Sequence, residues 1–414
     1  MIQTKTLDNG IRVIVKRIDG LKSVSAGIFA GVGSSAETDE ENGISHFIEH
    51  TGFKGTNKRT SYQINWDSDS LGINLNAATG KEYTYYYAQT ISEHTAEAFE
   101  ILSDLFVDSI YPPDELDKER GVVTEEINMY EDTPDDVCTT NLSAAYFGTG
   151  TGYGKTILGS KENVARFTRD DILAYKAKYY TTDNIVVSIV GDVYPEEGFA
   201  LAEKYLSVLP KTKRTEFLPR NTKNLSGFIA KTKDIEQAHL ALCYPAVSSK
   251  DDRRHIYSVV NNVLGGSMSS RLFRKVREEM GLCYTVYSYQ QSYDDCGDIA
   301  VYAGLSADKQ EEAYEAIIGE VKRLKEEGIG AEEFASVREQ IKSALVFAQE
   351  STTTQMCLYG RRLLLGNEIY DFDKNLAMIN ALSVEKINAE IRDNFDISKP
   401  ALSLVARKPA KLKN

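Results

Sequence analysis

The chain has 414 residues, 42% of them apolar and 26% charged, with a formal net charge of −13. That composition is typical of a soluble globular protein, and the length exceeds what one hydrophobic core organises, so at least two domains are expected. The acidic balance argues against nucleic acid as a partner, because phosphate-backbone binding needs basic surface. In chain order, Met1 to Gly10 lacks the basic and apolar regions of a leader and reads as mature domain sequence running into a strand at 11–16. A strand at 23–31, helices at 43–54 and 60–71, strands at 73–79 and 83–91, long helices near 92–109 and 113–132 and a strand at 184–191 complete the first half.

The second half repeats this order, with strands at 225–231 and 238–246, helices at 251–265 and 269–279, and strands at 283–291 and 297–304. Helices near 307–326 and 330–350 and a last strand at 401–406 follow. Neighbouring strands and paired helices imply an α+β fold of two homologous α/β domains, each a mostly antiparallel sheet with helices packed on one face. A charged, proline-marked stretch from Lys211 to Asn224 separates a domain at 1–210 from one at 225–414.

No stretch approaches the apolar length of a membrane span, so no membrane partner is expected. Five scattered cysteines, Cys138, Cys243, Cys283, Cys296 and Cys357, form no close-spaced ligand pair and point to a reducing cytoplasm. The glycine clusters at 31–33 and 148–152 lack the lysine and the context of a nucleotide loop and read as turns, and His239 reads as structural.

The chemistry-bearing stretch is His46-Phe47-Ile48-Glu49-His50. On a helix, side chains at i and i+4 share a face, so both histidines can reach one metal, while Glu49 lies beside that face as a general base. Hydrolysis by zinc-activated water is the chemistry implied. The plain alternative is two histidines on an ordinary amphipathic helix, and a third ligand decides between the readings. Between Glu115 and Tyr130, apolar Leu116, Val122, Val123, Ile127 and Tyr130 recur at roughly helical spacing and leave Glu119 and Glu126 seven residues apart on one face. Either glutamate could bind metal, or both could be ordinary exposed helical residues.

Gly43 to His50 followed by Phe53-Lys54-Gly55-Thr56, Leu75-Asn76-Ala77 with Lys81-Glu82-Tyr83-Thr84, and the run from Glu119 to Asp132 carry a resemblance. The chain resembles the insulinase, pitrilysin and mitochondrial processing peptidase family, and most of all its short bacterial members. The resemblance implies a zinc metalloendopeptidase with one Zn2+ per chain held by His46, His50 and Glu126, the last 76 residues beyond His50 (126 − 50). It implies Glu119 as a carboxylate supporting the metal site and Glu49 as the catalytic base. Glu125 is excluded because a helix turns about 100° per residue, so it cannot share the facing of Glu126. Arg277 and Tyr284 match the family pair that closes over substrate and stabilises the oxyanion. Leu75 to Thr79 match the edge strand to which a peptide adds, with Asn76 and Ala77 as substrate-binding residues.

With two domains, the chain is implied to form half of a clamshell chamber for short or unfolded peptides. The partners implied are a peptide substrate and a second copy in a homodimer, or a related subunit in a heterodimer. A non-catalytic or heterodimer partner subunit is the alternative reading. Aligning the halves sets Ala344 opposite Glu126 and Val260 and Leu264 near the histidine positions, so the second half keeps the pattern without the ligands. Thr51-Gly52, Ser68 and Ile73 depart from the family pattern and bear on packing near the site.

Overall fold

The computed structural model describes residues 1–150, 152–217 and 220–412. Thr151 of the 148–152 turn and Leu218 and Pro219 of the expected linker lie outside the described residues. In the first half the elements are β1 (Ile2–Thr6), β2 (Arg12–Arg17), β3 (Ser23–Ala30), α1 (Ile44–Thr51), α2 (Ser61–Ser70), β4 (Asn74–Thr79), β5 (Thr84–Ile91), α3 (Thr95–Asp108), α4 (Pro113–Asp132), α5 (Pro134–Phe147), α6 (Lys161–Arg166), α7 (Arg169–Tyr179), β6 (Ile185–Gly191) and α8 (Pro195–Leu206). In the second half they are β7 (Phe228–Thr232), β8 (Gln237–Ala246), α9 (Arg254–Gly265), a π-helical segment (Phe273–Glu279), β9 (Cys283–Ser292), β10 (Gly297–Ser306), α10 (Gln310–Glu327), α11 (Ala331–Ala348), α12 (Thr352–Leu364), α13 (Phe372–Asn380), α14 (Val384–Asn394) and β11 (Ala401–Ala406).

Among the described residues the first sheet runs β1-β2-β6-β3-β5-β4 and the second β7-β11-β8-β10-β9. Without β1 the two orders coincide, and each contains one parallel pair, β2 with β6 and β7 with β11, in an otherwise antiparallel sheet. The fold is α+β with an internal duplication. β1 is absent from the sequence expectation because IQTKT is mostly exposed and lacks the apolar alternation that marks a half-buried strand.

Alternation along β3 shows how each sheet is covered. Val24, Ala26, Ile28 and Ala30 join the apolar cluster containing Phe47 and Ile48 of α1 and Phe99 and Leu102 of α3. Ser25, Gly27 and Phe29 face the other way, onto α12: Ser25 Oγ lies 2.8 Å from Thr352 Oγ1. A Cβ added at Gly27 would stand 2.3 Å from Met356 Sδ, and one at Gly360 would stand 2.3 Å from a ring carbon of Phe29. Glycine at these two positions lets helix and strand approach that closely. The main helical layer thus lies on one face of the sheet, and a single further helix covers part of the other.

The second sheet repeats this arrangement with α5. Val137, Cys138, Leu142 and Ala145 cluster with Ala241, Cys243, Ala300, Ala401 and Val405, and Cys138 Sγ donates to the His239 carbonyl at 3.1 Å. The far-face helix of each sheet therefore comes from the opposite half of the chain. One compact unit comprises Met1–Ile127, Thr156–Pro219 and Phe347–Tyr370, and the other comprises Asn128–Lys155, Arg220–Val346 and Asp371–Asn414. No helix among the described residues is long and apolar enough to cross a membrane.

Two local expectations are corrected. The helix at 269–279 is π-helical from Phe273 to Glu279 rather than regular α. Val122 and Tyr130 are exposed, and the buried stripe of α4 is Leu116, Glu119, Val123 and Ile127. Read at i, i+3 and i+4, that stripe carries a carboxylate at a position a purely apolar pattern would fill with a hydrophobe.

Candidate metal centre

The site is built in the first unit on two helices. α1 is short, and its N-cap, Gly43, has φ +100° and offers no side-chain cap. A buried carboxylate six residues upstream takes that role: Glu37 accepts from the backbone N–H of Gly43 at 2.8 Å and of Ser45 at 2.9 Å, and from Asn42 Nδ2 at 2.9 Å. Burial raises the Glu37 pKa, and these donors oppose the rise. Its acceptor oxygens thus satisfy N–H groups at the positive end of the helix dipole. Phe47 and Ile48 then bury in the core and set the rotation of α1, which turns His46, Glu49 and His50 toward α4 and β4.

The structure brings His46, His50 and Glu126 together, with ligand atoms all within 4.8 Å of one another. His46 Nε2 lies 3.5 Å and His50 Nε2 3.2 Å from the same Glu126 oxygen, Oε2. Glu125, one residue earlier, is exposed. Glu119, buried on the same helix, has Oε1 3.0 Å from His50 Nδ1 and accepts from Lys54 Nζ on its other oxygen at 2.6 Å. With Glu119 as acceptor, Nδ1 carries a proton, so in the neutral ring the lone pair of His50 falls on Nε2, facing Glu126.

The titration behaviour follows from this packing. Burial, reinforced by the neighbouring His50, pushes the His46 pKa down to about 3, so that ring is neutral. Burial also works against charge on His50, but Glu119, Glu126 and Glu49 outweigh it and raise its pKa. Glu119 is held below the usual carboxylate range, because His50 and Lys54 overcome the effect of burial. Burial raises Glu49, whose Oε2 accepts from Thr79 Oγ1 at 2.6 Å.

Two imidazole nitrogens and a carboxylate oxygen converge on one point, an arrangement that a proton on His50 or a bound cation satisfies. Their 3.2 and 3.5 Å separations are those of neighbouring ligands on a tetrahedral ion bound at about 2.0–2.2 Å. The donor set, with a carboxylate supporting one histidine from behind, fits zinc.

The remaining sequence candidates fall in two places. Among the described residues β4 is an edge strand, so the backbone of Ala77, which turns away from β5, has no partner strand. Asn76 is exposed, whereas the Ala77 side chain is buried opposite Tyr86, so Ala77 can offer a ligand only its backbone. Arg277 and Tyr284 belong to the second unit, where the guanidinium lies 4.5 Å from the Phe273 ring centre and 5.5 Å from that of the largely exposed Tyr284. Glu37, Lys54 and Thr79 escaped the sequence reading as working residues. Lys54 follows His50 at i+4 and was findable by helical spacing, while Thr79 needed the strand register and Glu37 needed the tertiary fold.

The family described as Insulinase (Peptidase family M16) matches residues 12–161, and the domain described as Peptidase M16 inactive domain matches residues 166–341. The "Uncharacterized zinc protease YmxG" of Bacillus subtilis is 39% identical over 95% of this chain and 96% of its own length. The "Uncharacterized zinc protease SCO5738" of Streptomyces coelicolor is 32% identical over 98% of this chain and 89% of its own length. A solved protease from Helicobacter pylori shares the fold, with a TM-score of 0.90 at 21% identity over 98% of this chain and 99% of that one. The chain belongs to the insulinase family, peptidase family M16.

Proposed function

We propose that this protein is a zinc-dependent endopeptidase that cleaves short or unfolded peptides, with His46, His50 and Glu126 holding one Zn2+ per chain. The observation that carries this reading is the convergence of those three donors on one point, with Glu49 beside them. The names of the two bacterial relatives, both zinc proteases, support the choice of metal. Zinc bound there supplies a Lewis acid that activates water and polarises the scissile carbonyl.

The chain's own residues do the rest. Glu49, with a raised pKa, accepts a proton from the attacking water and passes it to the leaving amine. Thr79 fixes the orientation of that carboxylate through its 2.6 Å hydrogen bond. Glu119 holds the His50 ring and its tautomer, and Lys54 holds Glu119. The unpaired edge of β4 takes an extended peptide as an added strand. In the same reading Arg277 and Tyr284 stabilise the oxyanion, within a homodimer or a heterodimer with a related subunit. Cytoplasmic residence belongs to this proposal too, on the strength of five cysteines of which none is in a disulfide.

A non-catalytic partner subunit is the second reading, and it draws on the match of residues 166–341 to a domain described as inactive. That match begins at residue 166, beyond α1 and α4, so it does not cover the residues of the metal set. Elemental analysis of wild type and Glu126→Gln, paired with digestion of a mixed peptide library with and without chelator, separates the readings. About one zinc per chain, lost in the variant together with chelator-sensitive cleavage, is the expected result. Zinc without cleavage favours the partner subunit, and absence of zinc sinks the metal assignment.

A further inference from the structure

We propose that Asn76 is a removable cap on the edge of β4: its carboxamide oxygen occupies the position an incoming strand's carbonyl would take, and a docking peptide must displace it. This rests on the reading of β4 as the peptide-docking edge. Gly80 N–H donates to the Tyr83 carbonyl at 2.9 Å, which closes the β4–β5 hairpin and makes Gly80 and Tyr83 a hydrogen-bonded pair. In an antiparallel ladder such pairs alternate, so Ala78 and Asn76 turn their backbone groups toward Tyr85 and Tyr87 of β5. Leu75, Ala77 and Thr79 turn theirs outward, to the side an added strand would use.

Ala77 N–H, pointing outward, donates to Asn76 Oδ1 at 2.8 Å. The donor most useful to a peptide is thus already engaged by the residue beside it. Two residues further along the same edge, Thr79 is the next outward position, and its hydroxyl holds Glu49. The capped amide therefore lies one strand repeat from the residue that orients the proposed base. A peptide carbonyl and the Asn76 carboxamide compete for one N–H, and displacement releases an amide that can both donate to and accept from the peptide main chain. The cap also blunts an exposed edge against unwanted strand pairing. Because the exchange involves backbone groups, it selects for extended conformation rather than for any particular side chain.

The test uses the full chain labelled with 15N-alanine and 15N-asparagine, in wild type, Asn76→Ala and Asn76→Asp, with amide exchange of Ala77 read by NMR. Asn76→Asp keeps an acceptor oxygen in place, and the remaining alanine resonances report whether each variant is folded. Without peptide, Ala77 exchange accelerates about three- to tenfold in Asn76→Ala and stays slow in Asn76→Asp. An unstructured Val/Thr-rich peptide is then added in the Glu49→Gln background to prevent turnover. It protects Ala77 whether Asn76 is kept or replaced as in Asn76→Ala, and where Asn76 is kept it shifts the side-chain amide resonances of that residue. Equal exchange in wild type and Asn76→Ala without peptide overturns the cap. Faster exchange in Asn76→Ala, with no protection of Ala77 by peptide in any form, overturns displacement and with it the docking role of β4.

Discussion

The two units reach the same strand order with opposite use of the helix that follows their second shared strand. In the first, α1 after β3 turns two histidines and a glutamate out of an apolar stripe. In the second, α9 after β8 carries Val260 and Leu264, both buried in an apolar cluster. The lesson is how much support a reactive cluster needs. Where α9 is held by hydrophobic packing, α1 also requires Glu37 at its N-terminus, and its reactive side chains lean on Glu119, Lys54 and Thr79. Glu37 and Glu119 in the first unit each have several donors, whereas the buried Asp298 of the second has Gln291 Nε2 at 3.4 Å as its side-chain donor.

The largest effect is expected at the base. Glu49→Gln should lower kcat for peptide cleavage about 10²–10⁴-fold while zinc content, by elemental analysis, stays at the wild-type level. Normal turnover in that variant removes Glu49 from the mechanism.

Asp298 sharpens the contrast in the second unit. Burial raises its pKa to about 7, against a weak lowering by Gln291. The folded state therefore holds a proton that the unfolded chain gives up near pH 4, so this stabilisation is full below about pH 4 and lost as pH rises through about 7. The gap corresponds to about 4 kcal/mol. Asp298→Asn should flatten the urea-unfolding profile between pH 4 and 8 and raise stability at the upper end, and an unchanged slope would rule out the buried neutral carboxyl.

Behind the metal set, Glu119→Gln should weaken zinc about 10–100-fold in a chelator competition, with the fold intact by circular dichroism. Wild-type affinity would make Glu119 a bystander. Smallest is the effect of crowding α12 against β3: Gly360→Val should cost about 1–3 kcal/mol in chemical unfolding, since its Cβ would meet the Phe29 ring. No loss of stability would mean that α12 does not pack on that face.

Much of this was legible along the chain, for identifiable reasons. Strand and helix periods are local, so β2 to β6, and β8 to β11 in the second half, emerged near their observed limits. The pair His46 and His50 needs only the i, i+4 rule, and Glu125 could be set aside because adjacent helical residues point about 100° apart. Repetition of the element order also disclosed the duplication, since both halves solve the same packing problem with the same pattern.

Tertiary structure alone decided the rest, because those features depend on contacts between distant segments. Nothing local in α5 or α12 says that each covers the far face of the sheet built mainly by the opposite half of the chain. Glu119 reads as one more acidic helical residue until the fold sets it against His50 and Lys54, and Glu37 reads as loop until it meets the free N–H groups of α1. The direction of each backbone N–H along β4 follows from register, which pairing with β5 fixes. Sequence periodicity names the residues a site needs, and packing determines which of their atoms meet.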